Sequence, residues 1–401
     1  MLGVALGGLL VSVPFDLGDA SSDVRYIAAR PAGRADGSDW ANAAPLRDLP
    51  DLVAQLPQGG TVLVRAGQGP YRIDEPIVLG DRQADTPLTI RGFDPSGGGA
   101  RPVILGTRIQ PYSPETADTG SPIFALDTGA DGLTFAQLRF ANVGNGCFDL
   151  RGAVNHLTVS DVRATNVRRF IENEDNDDAS VAGLVIRRTT VQGFSKDAVR
   201  LRNDTHDVLI EDVLVDSRRH DGDRFAMGFH LTDTVHNVVF RRVVAMNARD
   251  TISHYRNGDG FVAERGTYAL TFEDTEAIDN MDAGYDIKGS DVTLLRALAS
   301  GNKRNFRFWG SKITMSSSTG VDPVRRGGDG TPAHVWAGPA ATFLIGDSRF
   351  LGGDADIIVF DLEAAAVGVA EQTIVRRERG SDLVHLLDGA SMWLNGEQLE
   401  N

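Results

Sequence analysis

The chain has 401 residues, 41% of them hydrophobic, with 45 glycines against 16 prolines and a formal charge of −15. Such a composition builds a core with many turns and excludes a disordered chain. The acidic balance excludes a nucleic-acid binder, since displacing counterions from phosphate needs a basic field, and the single cysteine, Cys147, excludes an intrachain disulfide.

In chain order, residues 1–20 open with the apolar run Leu2 to Phe15, followed by Asp16 and the small residues Gly18 and Ala20. The run is too short for a membrane span and reads as a secretory signal or an N-terminal tail, so a secreted or periplasmic protein with no membrane span is expected. Residues 21–401 read as one elongated domain: an N-terminal cap and first coils over about 21–100, regular coils over 130–350, and C-terminal coils and a cap over 351–401. After a strand from Val24, residues Leu46, Leu49, Leu52, Val53 and Leu56 fall at helical spacing, with Pro50 in a first turn and Gly59-Gly60 as a stop. A short helix here would lid the exposed end of a repeat. TVLVRA from Thr61 and PLTIRG from Pro87 are the next strands.

From Gly132 the repeat is plain. Segments such as GLTFAQLRFANV (from Gly132), HLTVSDVRATNV (from His156), NVVFRRVVAMNA (from Asn237) and ALTFEDTEAIDN (from Ala269) recur at steps of 21 to 32 residues. That is the length of one turn of a stacked solenoid. Each segment holds two short alternating strands, with inward pairs such as Leu133/Phe135 and Val238/Phe240, and a third strand lies between segments. Three strands per coil without a helix-length insert predict an all-β fold, a right-handed parallel β-helix. Asn142, Asn166 and Asn247 recur at one offset, and Asn280 and Asn302 one residue later. Stacked amides can bond from coil to coil, and Asn tolerates the left-handed backbone of a sharp corner. Past Gly320 the repeat weakens.

Three similar phrases then draw attention: NGDGFVAERG from Asn257, NMDAGYDIKG from Asn280 and NKRNFRFWG from Asn302. Aligning Phe261, Tyr285 and Phe306 gives spacings of 24 and 21 residues. Alternation sends Phe261/Ala263, Tyr285/Ile287 and Phe306/Phe308 inward. If coils stack at roughly 4.8 Å, Val262, Asp286 and Arg307 form one outer column and Glu264, Lys288 and Trp309 the next, with Asp259 and Asp282 just before their strands. Arg200, Arg202 and His230 face the same way. These last three, with Glu264 and Trp309, are the expected substrate contacts, since a guanidinium fork suits carboxylates and an indole can stack on a sugar ring. Loops at Arg218 to Arg224 and Asp250 to Asn257 protrude beside this face.

Asp259, Asp282 and Asp286 form an oxygen set suited to Ca²⁺, which takes six to eight such ligands. A calcium ion beside a cationic side chain suits removal of a proton alpha to a carboxylate, followed by β-elimination of the glycosidic oxygen. Arg307 and Lys288 are the candidate bases; the guanidinium should lower the Lys288 pKa, with Asp286 opposing.

In that order the three phrases resemble the calcium-dependent pectate lyases of polysaccharide lyase family nine, whose motifs read approximately DGF-A-A-K, N-S-D-D-G-W-D and N-G-F-K-L-G-G. GGTVLVRAG followed by PLTIRG also looks like the opening coils of secreted β-helix lyases. The specific match covers about 55 residues. The resemblance implies that Asp259, Asp282 and Asp286 bind calcium and that Arg307 stands where the family has its catalytic lysine. Ala283 replaces a second consecutive aspartate, which removes one carboxylate from the ion site, and arginine is hard to deprotonate. The expected function is a monomeric lyase acting on an anionic, uronate-containing polysaccharide, pectate first. A glycoside hydrolase, an epimerase and a non-catalytic carbohydrate-binding β-helix are the alternatives.

Overall fold

A computed structural model describes residues 23–82 and 86–401; the apolar leader at 1–20 lies outside them. The chain winds into a right-handed parallel β-helix, 47% strand and 4% helical. Strands pair in parallel with their counterparts one coil on, up to one antiparallel pair at the C-terminal end, giving a 26-stranded sheet and a separate 12-stranded sheet. Inward aromatics set the coil spacing. Phe229, Phe261, Tyr285 and Phe306 stack with ring centroids 5.2, 5.0 and 5.3 Å apart, and Phe240 stacks on Phe272 at 4.8 Å. All six are at most 1% exposed.

The asparagines make two ladders. Asn142, Asn166 and Asn247 take φ of 56°, 52° and 63° at one corner, and the Asn166 amide donates to Asn142 Oδ1 at 3.0 Å. Asn280 and Asn302 are fully buried and bond amide to amide at 3.0 Å, with Asn302 continuing to Asn305 at 3.1 Å. These bonds satisfy polar groups that the core would otherwise strand. At the N-terminal end the helix Leu49–Ala54 buries Leu49, Leu52 and Val53 over the first coil, with Pro50 in its first turn.

The 12-stranded sheet runs without interruption from Ile77–Leu79 to Asp382–Leu386 and carries the candidate site. Beyond Gly320 the repeat persists instead of weakening: Ala333–Ala337, Ile358–Leu362 and Asp382–Leu386 continue this sheet in register. Unequal loops before these strands hide the period. The antiparallel pairing of Ser391–Leu394 with Glu397–Gln398 then ends the stack. Among the described residues no helix is long and apolar enough to cross a membrane.

Candidate active site

Register on the 12-stranded sheet stacks one outward residue per coil: Asp149, Glu172, Arg200, His230, Val262, Asp286, Arg307, Trp336, Asp361 and His385. Arg202, Glu264, Lys288 and Trp309 stand just past the ends of their strands and form the neighbouring column. The register expected from aligning Phe261, Tyr285 and Phe306 is the one observed. Outward does not mean solvated, however: Asp259, Asp282 and Asp286 are 0%, 4% and 1% exposed. Loops bearing Phe225, Tyr255, Asn257, Asp329 and Gly330 rise beside them and enclose a cleft of about 490 Å³ with Glu264, Arg265, Asp282, Asp286, Lys288, Lys303, Arg304, Arg307 and Trp309.

Inside this cleft each carboxylate faces cations. Arg307 Nη1 lies 3.2 Å from Asp282 and 3.7 Å from Asp286. Lys303 Nζ, 1% exposed, lies 3.0 Å from Asp282 Oδ1 and donates to the Asp329 carbonyl at 2.9 Å, with Arg304 3.6 Å from Asp282. Although Asp282 Oδ1 lacks a bond of good angular geometry, an ammonium at that distance still neutralises it. Lys288 pairs with Glu264 and, at 3.2 Å, with Asp286. Trp309 Nε1 donates to Asp286 at 3.0 Å, and the Arg307 guanidinium packs over Trp309 and Trp336 at 4.9 and 5.2 Å. One face of Trp309 is thus already engaged by Arg307.

Asp259 stands apart. One oxygen accepts the Ala283 N–H at 2.6 Å, and the other is buried without a donor. Burial, with Asp282 and Asp286 nearby, pushes its carboxyl well above the usual range. Burial works to lower Arg307, but the Asp286 and Asp282 carboxylates outweigh it and hold the guanidinium above an ordinary arginine. Lys288 behaves likewise: burial lowers it, and Asp286 with Glu264 raises it further than that. The expected lowering of Lys288 by its guanidinium neighbour is therefore reversed, because Asp286 and Glu264 lie directly against its ammonium.

The residues present do not fit calcium. Among the described residues no cluster of three or more His, Cys, Asp or Glu side chains is arranged to hold a metal ion. The Asp282 and Asp286 oxygens that would face one already face Lys303, Arg304, Arg307 and Lys288, and Asp259 is sealed behind the Ala283 amide.

Arg200 and His230 lie on the central column, but farther along the wall, in a second buried cluster. His230 Nδ1 is 3.5 Å from Asp197, and Arg169 bridges Glu172 at 3.0 Å and Asp197 at 3.4 Å. Burial alone would raise Asp197; His230 at 3.5 Å, with the charges of Arg169 and Arg200, overrules it and holds the carboxyl at about 2. Burial wins at the neighbours, pushing Glu172 to about 7 against Arg169, and Asp149 to about 6 against Arg151. Arg202 is held between Asp175 and Asp233 rather than aimed over the sheet.

Lys303, Arg304, Tyr255, Trp336 and Asp197 escaped the sequence reading. Asp197 had a visible signal, since it occupies the strand position of Asp259 through Met227. Lys303 and Arg304 sit inside a phrase already noticed, but their direction depends on a bend that alternation does not anticipate.

Fold and wall together define a class, the right-handed parallel β-helix with a charged cleft along one sheet. No protein-family model and no curated protein matches the sequence. Among solved structures, the chain is similar to pectate lyase Pel9A (14% identity, TM-score 0.55, covering 75% of this chain and 76% of that one). It is also similar to the A-module of the Azotobacter vinelandii mannuronan C-5 epimerase AlgE4 (15%, 0.57, 86% and 93%) and to the Agl-KA catalytic domain (13%, 0.58, 92% and 68%). At these identities the likeness is one of fold.

Proposed function

We propose that the protein is a polysaccharide lyase that cleaves a uronate-containing polymer by β-elimination without a metal ion. The observation that carries this reading is the charge matching in the cleft: Lys288, Lys303, Arg304 and Arg307 surround Asp282 and Asp286 at 3.0 to 3.7 Å. An anionic sugar needs local cations, because a net charge of −15 repels it at long range. Arg307 and Lys288 then neutralise the substrate carboxylate and stabilise the enolate-like charge, the electrostatic work otherwise assigned to a Lewis acid. Neither serves as the base, since adjacent carboxylates keep both protonated. That role passes to Tyr255, which lines the cleft from the loop above it and is 67% exposed; as a phenolate it takes the proton alpha to the carboxylate, and the phenol so formed returns it to the leaving glycosidic oxygen. The similarity in fold to a pectate lyase and a mannuronan epimerase supports a uronan substrate. Such a polymer would be met outside the cytoplasm.

A glycoside hydrolase is the second reading, favoured by the buried Asp259 carboxyl, raised well above its usual range, beside two ion-paired aspartates. It requires Asp259 to reach the sugar, and Asp259 does not line the cleft.

Incubation with pectate, alginate and glycosaminoglycans, with and without chelator, tests the proposal. Unsaturated uronide ends that form equally in chelator, and disappear in Arg307→Ala, are expected. Saturated reducing ends would turn the assignment to a hydrolase, and full activity of Arg307→Ala would remove that residue from the mechanism.

A further inference from the structure

A second cleft, of about 390 Å³, opens beside the first and plays no part in the reaction described above. Its lining includes Arg219, Arg249, Arg256, Arg325 and Arg326, with Asp279 its one acidic residue. Three of these guanidiniums have carboxylate partners: Arg326 with Asp279 at 2.6 Å, Arg249 with Asp221 at 3.1 Å and Arg325 with Asp356 at 2.7 Å. Arg219 reaches Asp279 only at 3.9 Å, and its side chain is 57% exposed. Among the described residues Arg256 has no carboxylate partner. In a chain with 40 basic and 55 acidic residues, five guanidiniums against the three carboxylates of Asp279, Asp221 and Asp356 is a local reversal of sign.

The two clefts share their dividing wall. Loop 250–257 meets loop 323–332 through His254 and Asp329, 3.0 Å apart, and through Arg256, whose guanidinium lies against Gly327. Tyr255, Asn257 and Asp329 face the reacting cleft, while Thr251, Arg256, Arg325 and Arg326 face the other. A polymer bound at Asp286 and Arg307 therefore has a cationic trough one ridge away. Planar guanidinium forks match carboxylates in a bidentate way and hold them without needing a fixed sugar orientation.

We propose that this arginine cleft is an accessory subsite that binds the carboxylates of a polyuronate outside the reacting cleft. The inference rests on the uronate reading for its ligand, but its test does not require turnover. Affinity electrophoresis through gels containing polygalacturonate, alginate, heparin or neutral dextran measures binding directly, using the full chain. The uronate gels should retard the wild type, dextran should not, and Arg219→Ala/Arg256→Ala should lose at least about tenfold in apparent affinity at low salt. Arg256→Lys in place of Arg256→Ala should restore part of the retardation, and an unchanged melting temperature shows that each variant is folded. If the protein is active, the double variant should raise KM on polymer with kcat unchanged and leave cleavage of short oligosaccharides as it was. Equal retardation of wild type and double variant would overturn the subsite, and so would retention by heparin alone. Absence of cleavage with arginine-dependent retardation would reject the lyase reading and leave the subsite standing.

Discussion

Two walls of this β-helix carry similar ion pairs in opposite settings. On the 26-stranded sheet Arg242 meets Asp212 at 2.6 Å and Glu211 at 2.9 Å, and Arg296 meets Asp274 at 2.6 Å and Glu273 at 2.8 Å, with the arginines 49% and 44% exposed. On the 12-stranded sheet the Asp282 and Asp286 side chains are 5% and 2% exposed. Exposed pairs contribute about 0–1 kcal/mol each, because water and salt screen them. Buried ions cost several kcal/mol each to desolvate, and their partners recover that cost only when the geometry is complete. The first wall is a solvated ladder of ion pairs. The second holds charge where stability alone would favour apolar packing, which is the pattern of a working site.

The sharpest way to break this contrast is Asp282→Ala, which leaves Lys303, Arg304 and Arg307 facing one another. A loss of roughly 3–5 kcal/mol in denaturant unfolding is expected, with activity abolished. A loss below 1 kcal/mol would show that the buried wall behaves like the exposed one. Tyr255→Phe comes next: kcat on the preferred uronan should fall by roughly 10²-fold at an unchanged melting temperature, and unchanged turnover would exclude the tyrosine as base.

The Glu172 cluster gives the comparison a pH axis. Its carboxyl is raised to about 7 from an ordinary 4.5. A raised acid contributes stability fully present below the unfolded pKa and lost as pH rises through the folded one. Wild type should thus weaken between pH 4.5 and 7 by roughly 2–3 kcal/mol relative to Glu172→Gln, read from urea midpoints at each pH. Parallel profiles for the two proteins would mean that Glu172 is ionised at little cost. Lys303→Met removes the buried ammonium beside Asp282 while keeping its bulk. Calcium and chelator should leave the wild-type melting temperature unmoved, whereas the variant should gain a calcium-dependent rise of a few degrees. A calcium-dependent rise in the wild type would restore the ion site that the resemblance implies. The smallest effect belongs to Asp212→Ala on the solvated ladder, below about 1 kcal/mol and without consequence for turnover.

How legible was all this in the residues? Phe261, Tyr285 and Phe306 were enough to place Asp286 over Arg307, because strand alternation and coil length are local properties. Arg200 and His230 fell on the same column for the same reason. The calcium set was a different kind of inference: it took three carboxylates on one wall as open to an ion, whereas Lys303 and Arg304 enter that space from the turn that opens the strand Arg304–Phe308. Lys288 shows the limit most clearly, since its protonation depends on two contacts whose lengths no spacing rule contains.

By itself, then, the sequence determined the architecture: inward apolar residues at period two within coils of 21 to 32 residues leave few alternatives to a stacked parallel helix, and asparagines at the corners lock its turns. Tertiary structure alone decided which outward charges are wet, which are paired and which hold a proton. Those properties depend on loops folding over the wall, at 218–226, 250–257 and 323–332, and on the removal of water that follows. Burial changes the cost of a charge far more than its position in a repeat does.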